Sequence, residues 1–126
     1  MNITDAVLFL RTTVPEFEAE YQIVLKKWSR TVGGLMDSQV VYDFGVFLKR
    51  WLGAESMEGP ADEALQRAFE SIECLIGQGD DLVVDAVYFG IIDTILLESA
   101  KLSKYTLGPL TAHELKRAQL AFNGII

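Results

Sequence analysis

The stretch that decides the fold is DLVVDAVYFGIIDTILLESA, residues 81–100. Its β-branched residues also permit a strand, but twenty residues without a turn signal favour a helix. This helix is apolar on nearly every side, which predicts a place in the middle of a bundle. Asp85 and Asp93 make it a poor membrane span, because each charge opposes insertion by about 3 kcal/mol at mid-bilayer.

Further helices are predicted on both sides of this segment from apolar residues at helical spacing and from capping signals. Asp80 is a suitable N-cap for the central helix, and Asn2 or Thr4 for the first one. Downstream, Thr111 and Glu114 have the spacing of a capping box that opens a last helix. The glycine pair Gly33-Gly34 separates two of the upstream helices. Four helices are expected upstream, at residues 4–13, 15–28, 38–53 and 60–76, with a loop at 54–60 before the last of them.

Length and composition agree with this pattern. The chain has 126 residues, half of them hydrophobic and 23% charged, which suits one packed core. The predicted fold is therefore an all-α, single-domain bundle over residues 1–126, with five or six helices around the central apolar helix. The one cysteine cannot form an internal disulfide, and the N-terminus has no secretory pattern, so we expect a cytoplasmic protein.

The charge of the chain is acidic and unevenly placed. The formal net charge of -7 disfavours nucleic acid and anionic membranes as partners. Residues 55–98 hold eleven acidic residues and a single base, Arg67. In a helical bundle such a distribution predicts an acidic face that steers a basic protein partner, although it is equally typical of a face that only confers solubility. The predicted contact residues are Glu63, Glu70, Glu73, Asp80, Asp81 and Asp85.

No reaction motif is found, so an enzyme is not predicted and no catalytic residue or cofactor is assigned. His113 is predicted to be a surface residue in the first turn of a helix, and Cys74 is predicted to pack beside an apolar stripe. Asp81 and Asp85 lie four residues apart on one helical face, and Glu70 or Glu73 would add oxygen ligands for a hard cation. A metal site is kept as an alternative. For Asp85, an exposed stripe is favoured over a buried pairing with Arg67 or Lys101.

Three strings resemble a group of known proteins. They are Gly-Leu-Met-Asp at 34–37, Gly-Asp-Asp-Leu-Val-Val-Asp-Ala-Val at 79–87 running on to Ile-Asp at 92–93, and Leu-Gly-Pro-Leu at 107–110 followed by Glu-Leu at 114–115. Together they are similar to small all-helical bacterial proteins of unknown function, some of them associated with toxin immunity. The resemblance implies a cytoplasmic, non-catalytic protein that neutralises a toxin domain, and it assigns no individual residue a role.

The resulting functional hypothesis is a non-catalytic acidic binding protein, an immunity protein that occludes a basic toxin domain. Nucleases need basic clefts, so an acidic face that competes with phosphate would suit an inhibitor of such a toxin. Two alternatives remain open at this point. One is a helical bundle that binds a metal or a small ligand, and the other is an oligomeric adaptor whose apolar helix packs against another copy.

Overall fold

A computed structural model describes residues 1–28, 36–53 and 59–125, with the backbone alone for 59–62, 99 and 123–125. The expected turn at Gly33 and Gly34 and most of the loop at 54–60 lie outside the described residues. No strand occurs in the described part of the chain, and the all-α class is confirmed. The helices are α1 Ile3–Thr13, α2 Glu18–Trp28, α3 Asp37–Gly53, α4 Gly59–Gln78, α5 Asp81–Val87, α6 Asp93–Ile95, α7 Ser99–Leu102 and α8 Pro109–Ile125.

The predicted central helix is present over residues 81–102 as consecutive helical segments, called here the central run, with a local departure from helical dihedral angles at Glu98. Between α5 and α6 it contains a π-helical segment, Tyr88–Ile92, in which the amide of Asp93 donates to the carbonyl of Tyr88. A 3₁₀ segment, Leu96–Glu98, joins α6 to α7. The central run contacts α3, α4, α8 and α1, so its predicted position in the middle of the bundle is confirmed.

The core forms where the apolar stripes of α1, α3 and α4 meet the central run. An aromatic cluster links α3 to the 3₁₀ turn Pro15–Phe17, which precedes α2: the ring centroid of Phe17 lies 5.0 Å from that of Phe44 and 5.4 Å from that of Phe47. Such edge and tilted arrangements are the ones that aromatic quadrupoles favour. The largest fully buried side chains are Phe17, Phe44, Phe69, Leu10, Leu48, Leu52, Leu65, Ile72, Leu75, Ile91, Ile92 and Ile95.

The closest approach between two helices is the crossing of α3 over the π-helical segment. A Cβ atom built on Gly45 would lie closer than 3.0 Å to the carbonyl group of Gly90. A Cβ built on Gly90 would in turn meet the ring of Tyr42. The two backbones are therefore in direct contact, which only glycine permits at both positions.

Two of the predicted N-caps are confirmed, and the predicted capping box is wrong. Asn2 accepts a hydrogen bond from the amide of Asp5 at 2.8 Å, and Asp80 accepts one from Val83 at 3.0 Å. Thr111 lies inside the first turn of α8, and its hydroxyl donates to Glu73 of α4 instead of pairing with Glu114. The Glu73 carboxylate, from a neighbouring helix, thus accepts hydrogen bonds from the first turn of α8, where the capping box was expected to provide the acceptors.

Helices α1 and α2 are joined by a bidentate ion pair. The Arg11 guanidinium donates to both carboxylate oxygens of Glu18, at 2.9 and 2.7 Å, and stacks over the ring of Tyr21 at 4.1 Å. Hydrogen bonds from Arg11, and then from Gln22, lower the pKa of Glu18 to about 2. The pair has a two-pronged geometry, but the Glu18 side chain is 40% exposed, which limits its contribution to about 1 kcal/mol.

This pair predicts a definite acid sensitivity. Because the pKa of Glu18 is lowered on folding, its contribution is complete above its ordinary value of 4.5 and is lost as the pH falls toward about 2. Glu18→Gln should therefore lower the free energy of unfolding by about 1 kcal/mol at neutral pH and have a much smaller effect near pH 2. Urea titrations of both proteins at several pH values measure the difference. An equal loss at every pH would show that the carboxylate charge is not involved.

Candidate protein-binding surface

The six predicted contact residues lie on two elements of the fold. Glu63 and Glu70 are exposed on α4, seven residues apart and so on one helical face. Asp81 and Asp85 are exposed on the central run, which begins after the turn that ends α4. Asp80 is also exposed, but one of its oxygens is engaged as the N-cap of α5. The fold therefore divides the predicted set into an α4 pair and a pair on the central run.

Glu73, the sixth predicted residue, is half-buried, and both of its carboxylate oxygens accept hydrogen bonds from α8. Its carboxylate accepts hydrogen bonds from the Leu110 amide at 3.0 Å, the Thr111 amide at 2.8 Å and the Thr111 hydroxyl at 2.9 Å. Burial acts to raise the pKa of Glu73, but these bonds from Thr111 and Leu110 together outweigh it, and the pKa lies below its ordinary value. A Cβ on Gly108 would collide with this carboxylate. The Glu73 carboxylate thus caps the first turn of α8 from a neighbouring helix.

Replacing this cap should destabilise the protein. Glu73→Gln keeps the shape but loses the charge, and its NH₂ group faces a backbone donor where the second oxygen had been. We expect the free energy of unfolding to fall by about 2 kcal/mol, the range for hydrogen bonds to a charged group. Denaturant unfolding monitored by circular dichroism measures this loss. Glu70→Gln, one turn earlier on the same helix and exposed, is the control and should change stability by less than about 0.5 kcal/mol; equal effects would contradict the capping role.

Arg67, the single base of residues 55–98, does not neutralise the carboxylates of the central run. Its guanidinium donates to both oxygens of Glu16, at 3.1 and 2.7 Å, and to the carbonyl of Thr13 at 3.3 Å. The other base considered, Lys101, pairs with Glu98, and its Nζ lies 3.5 Å from a carboxylate oxygen of that residue. Asp85 is exposed, so the favoured prediction for this residue is confirmed.

An exposed line of acidic and apolar side chains runs along the central run. Three of the members are large apolar residues, with exposed fractions of 55% for Leu82, 56% for Phe89 and 71% for Leu97. The acidic members are exposed as well, and residues 81–100 contain no lysine or arginine. From Leu82 onward, successive members are three or four residues apart, as one side of a helix requires, and Asp81 lies four residues before Asp85. This set, called the central stripe, consists of Asp81, Leu82, Asp85, Phe89, Asp93 and Leu97.

A neighbouring helix extends the apolar part of this surface. Tyr42 of α3 covers Gly90 with its ring and is itself 41% exposed. The ring of Phe89 stands perpendicular to that of Tyr88 with centroids 5.0 Å apart. Exposed aromatic side chains bordered by carboxylates have the composition of a protein-binding surface with a central anchor and a charged rim.

The sequence prediction missed the apolar half of this surface. The segment was expected to be buried on nearly every side, whereas Leu82, Phe89 and Leu97 face outward. One signal was present in the sequence: Asp81, Asp85 and Asp93 follow helical spacing and mark the exposed side. Leu82 and Phe89 lie on that same side.

Other kinds of site have less support in the fold. Among the residues that the structure describes, no group of three or more histidine, cysteine, aspartate or glutamate side chains could hold a metal ion. Cys74 is half-buried in an open groove of about 380 Å³ between α1 and α4, and His113 is exposed in the first part of α8. None of the described helices is both long enough and apolar enough to cross a membrane.

Comparisons with known proteins give no further assignment. No protein-family model, no curated protein and no solved structure matches the chain. The resemblance to small helical bacterial proteins stays a hypothesis that rests on the three quoted strings.

Proposed function

We propose that the chain is a non-catalytic binding protein that uses the central stripe to hold a basic protein partner. The observation that supports this best is the stripe itself, where Phe89 stands between the carboxylates of Asp85 and Asp93 on an exposed helix face. Apolar anchors supply most of the affinity of protein interfaces, while the charged rim sets association rate and partner choice. Both parts are present on the central run.

The partner we propose is the basic domain of a toxin, with this chain acting as a bacterial immunity protein. A domain that cuts nucleic acid presents lysines and arginines to phosphate, and these side chains would pair equally well with Asp81, Asp85 and Asp93. Binding would occlude the basic cleft without any chemical step. The motif resemblance described above supports the same role.

The proposal is tested with a specific partner, the basic C-terminal domain of a toxin encoded beside this gene. We expect a complex whose dissociation constant rises steeply between low and high salt. Asp85→Asn/Asp93→Asn should weaken the complex about tenfold or more, mostly by slowing association. Surface plasmon resonance at two salt concentrations measures both rates.

A matched control separates the central stripe from acidity in general. Glu63→Gln/Glu70→Gln removes the same amount of charge from the exposed face of α4. It should change the dissociation constant by less than about threefold, which is the range of long-range screening alone. Equal losses for both variants would place the interface on the wider acidic face, and binding that ignores salt and both variants would overturn the proposal.

A further inference from the structure

A basic counterpart of the central stripe is present on α8 of the same chain. His113, Lys116, Arg117 and Leu120 are exposed. Both Lys116 and Arg117 lie three or four residues from His113 and from Leu120, so the set shares one side of the helix. Leu120 is 62% exposed. This set, called the α8 face, combines basic side chains with an apolar one, and its Arg117 guanidinium also pairs with the Glu114 carboxylate of the same helix at 3.0 Å. The charged side chains of the α8 face are basic, whereas those of the central stripe are acidic, and both surfaces also carry exposed apolar side chains.

The two surfaces are neighbours on the molecule. Helix α8 packs against the π-helical segment, and the Arg117 guanidinium lies over the Tyr88 ring at 4.4 Å. The Tyr88 ring in turn contacts the ring of Phe89. A continuous chain of contacts therefore leads from the α8 face to the middle of the central stripe. Two adjacent surfaces of opposite charge on one protein are what a twofold pairing of identical copies requires.

We infer that two copies of the chain associate through these surfaces, the central stripe of each copy lying against the α8 face of the other. The charge contact then occurs twice, once on each side of the twofold axis. Leu82, Phe89 and Leu97 would be removed from water together with Leu120 of the second copy, which is the driving force for association. The second copy is favoured as the occupant because its exposed face has the required charge.

This inference concerns the surface used in the proposed function, and it adds a form of regulation to it. A basic partner and a second copy would compete for the central stripe. The free protein would keep its apolar side chains covered, and the partner would take the place of the second copy. Self-association is measured on the purified chain without any partner. Its failure would therefore contradict the dimer alone, and the failure of partner binding would contradict the proposed function alone.

The experiment is sedimentation velocity on the purified chain from about 5 to about 500 µM, a range in which mass action converts a weak dimer from mostly monomer to mostly dimer. Two charge-reversed variants test the geometry: Asp85→Lys/Asp93→Lys on the central stripe and Lys116→Glu/Arg117→Glu on the α8 face. Each should weaken self-association about tenfold or more, because like charges then face each other twice. Far-UV circular dichroism and thermal melting confirm that both variants are folded.

Mixing the two variants gives the decisive result. In a mixed dimer, the lysines of one stripe face the glutamates of the other α8 face, and the second contact keeps the original charges, so association should return. Glu63→Lys/Glu70→Lys on α4 is the matched control and should dimerise like the natural chain. A natural chain that stays monomeric at the highest concentration would overturn the inference. A dimer unaffected by either variant, or a mixture that stays monomeric, would overturn it too.

Discussion

Gly45→Ala should lower the free energy of unfolding by about 3 kcal/mol, near the upper end of the usual cost of overpacking a core. The added methyl would meet the backbone carbonyl of Gly90 and the Cα of Ile91, and neither can move away by changing rotamer. Alanine stabilises a helix interior by about 1 kcal/mol relative to glycine. A lower free energy of unfolding for Gly45→Ala would therefore mean that the cost of the collision exceeds this gain. Thermal unfolding should shift downward by about 10 °C.

Gly53→Ala supplies the control for this prediction. It lies in the same helix, and among the described residues no atom beyond its chain neighbours and the adjoining backbone of α3 lies within 4 Å of the added methyl. Its expected effect is neutral or stabilising by up to about 1 kcal/mol. If Gly45→Ala behaved in the same way as Gly53→Ala, α3 and the π-helical segment would not be in backbone contact at this point.

Local signals were sufficient to predict most of the fold. Asn2 and Asp80 each accept a hydrogen bond from the amide three residues further along the chain, a relation that is visible in the sequence itself. The apolar stripes of α3 and α4 follow helical spacing and face the core as expected. The crossing at Gly45 and Gly90 could not be predicted from the sequence. A close approach between two backbones depends on how the two helices pack against each other and not on either helix alone.

The capping box failed for the same reason. Thr111 and Glu114 match the local motif, but the amides of Leu110 and Thr111 are satisfied by Glu73, a residue of another helix. A charged acceptor that is held in place by tertiary packing competes effectively with a local side chain. Since the motif concerns only neighbours in sequence, it could not identify the distant carboxylate, and Glu73 was assigned to the partner surface instead.

The central stripe was only half predictable for a different reason. Binary patterning assigns large apolar residues to the interior, and in this segment almost every position that is not acidic is apolar. The π-helical turn at Tyr88–Ile92 also shifts the register of later residues relative to a regular helix. The exposed side could therefore be located by its aspartates, whereas the aromatic anchor could not be distinguished from a core residue.

Phe89→Ser should weaken the proposed complex with a basic partner by about 10- to 100-fold, the loss typical of a central anchor residue. The side chain is 56% exposed in the free protein, so its removal costs little stability and the loss appears in binding. Most of the effect should be in the dissociation rate, because an apolar contact does not act at long range. Surface plasmon resonance at concentrations low enough to keep the chain monomeric measures it.

Ile23→Ser is the matched control for this anchor. Ile23 lies on α2 and is 62% exposed, so the variant removes a similarly exposed apolar side chain from another part of the molecule. Its dissociation constant should stay within about threefold of the natural chain, as for most surface positions outside a hot spot. Because the aspartates remain in Phe89→Ser, its association rate should keep the salt dependence of the natural chain. A Phe89→Ser variant that binds as tightly as Ile23→Ser would remove the apolar anchor from the proposed interface and leave the carboxylates as its sole support.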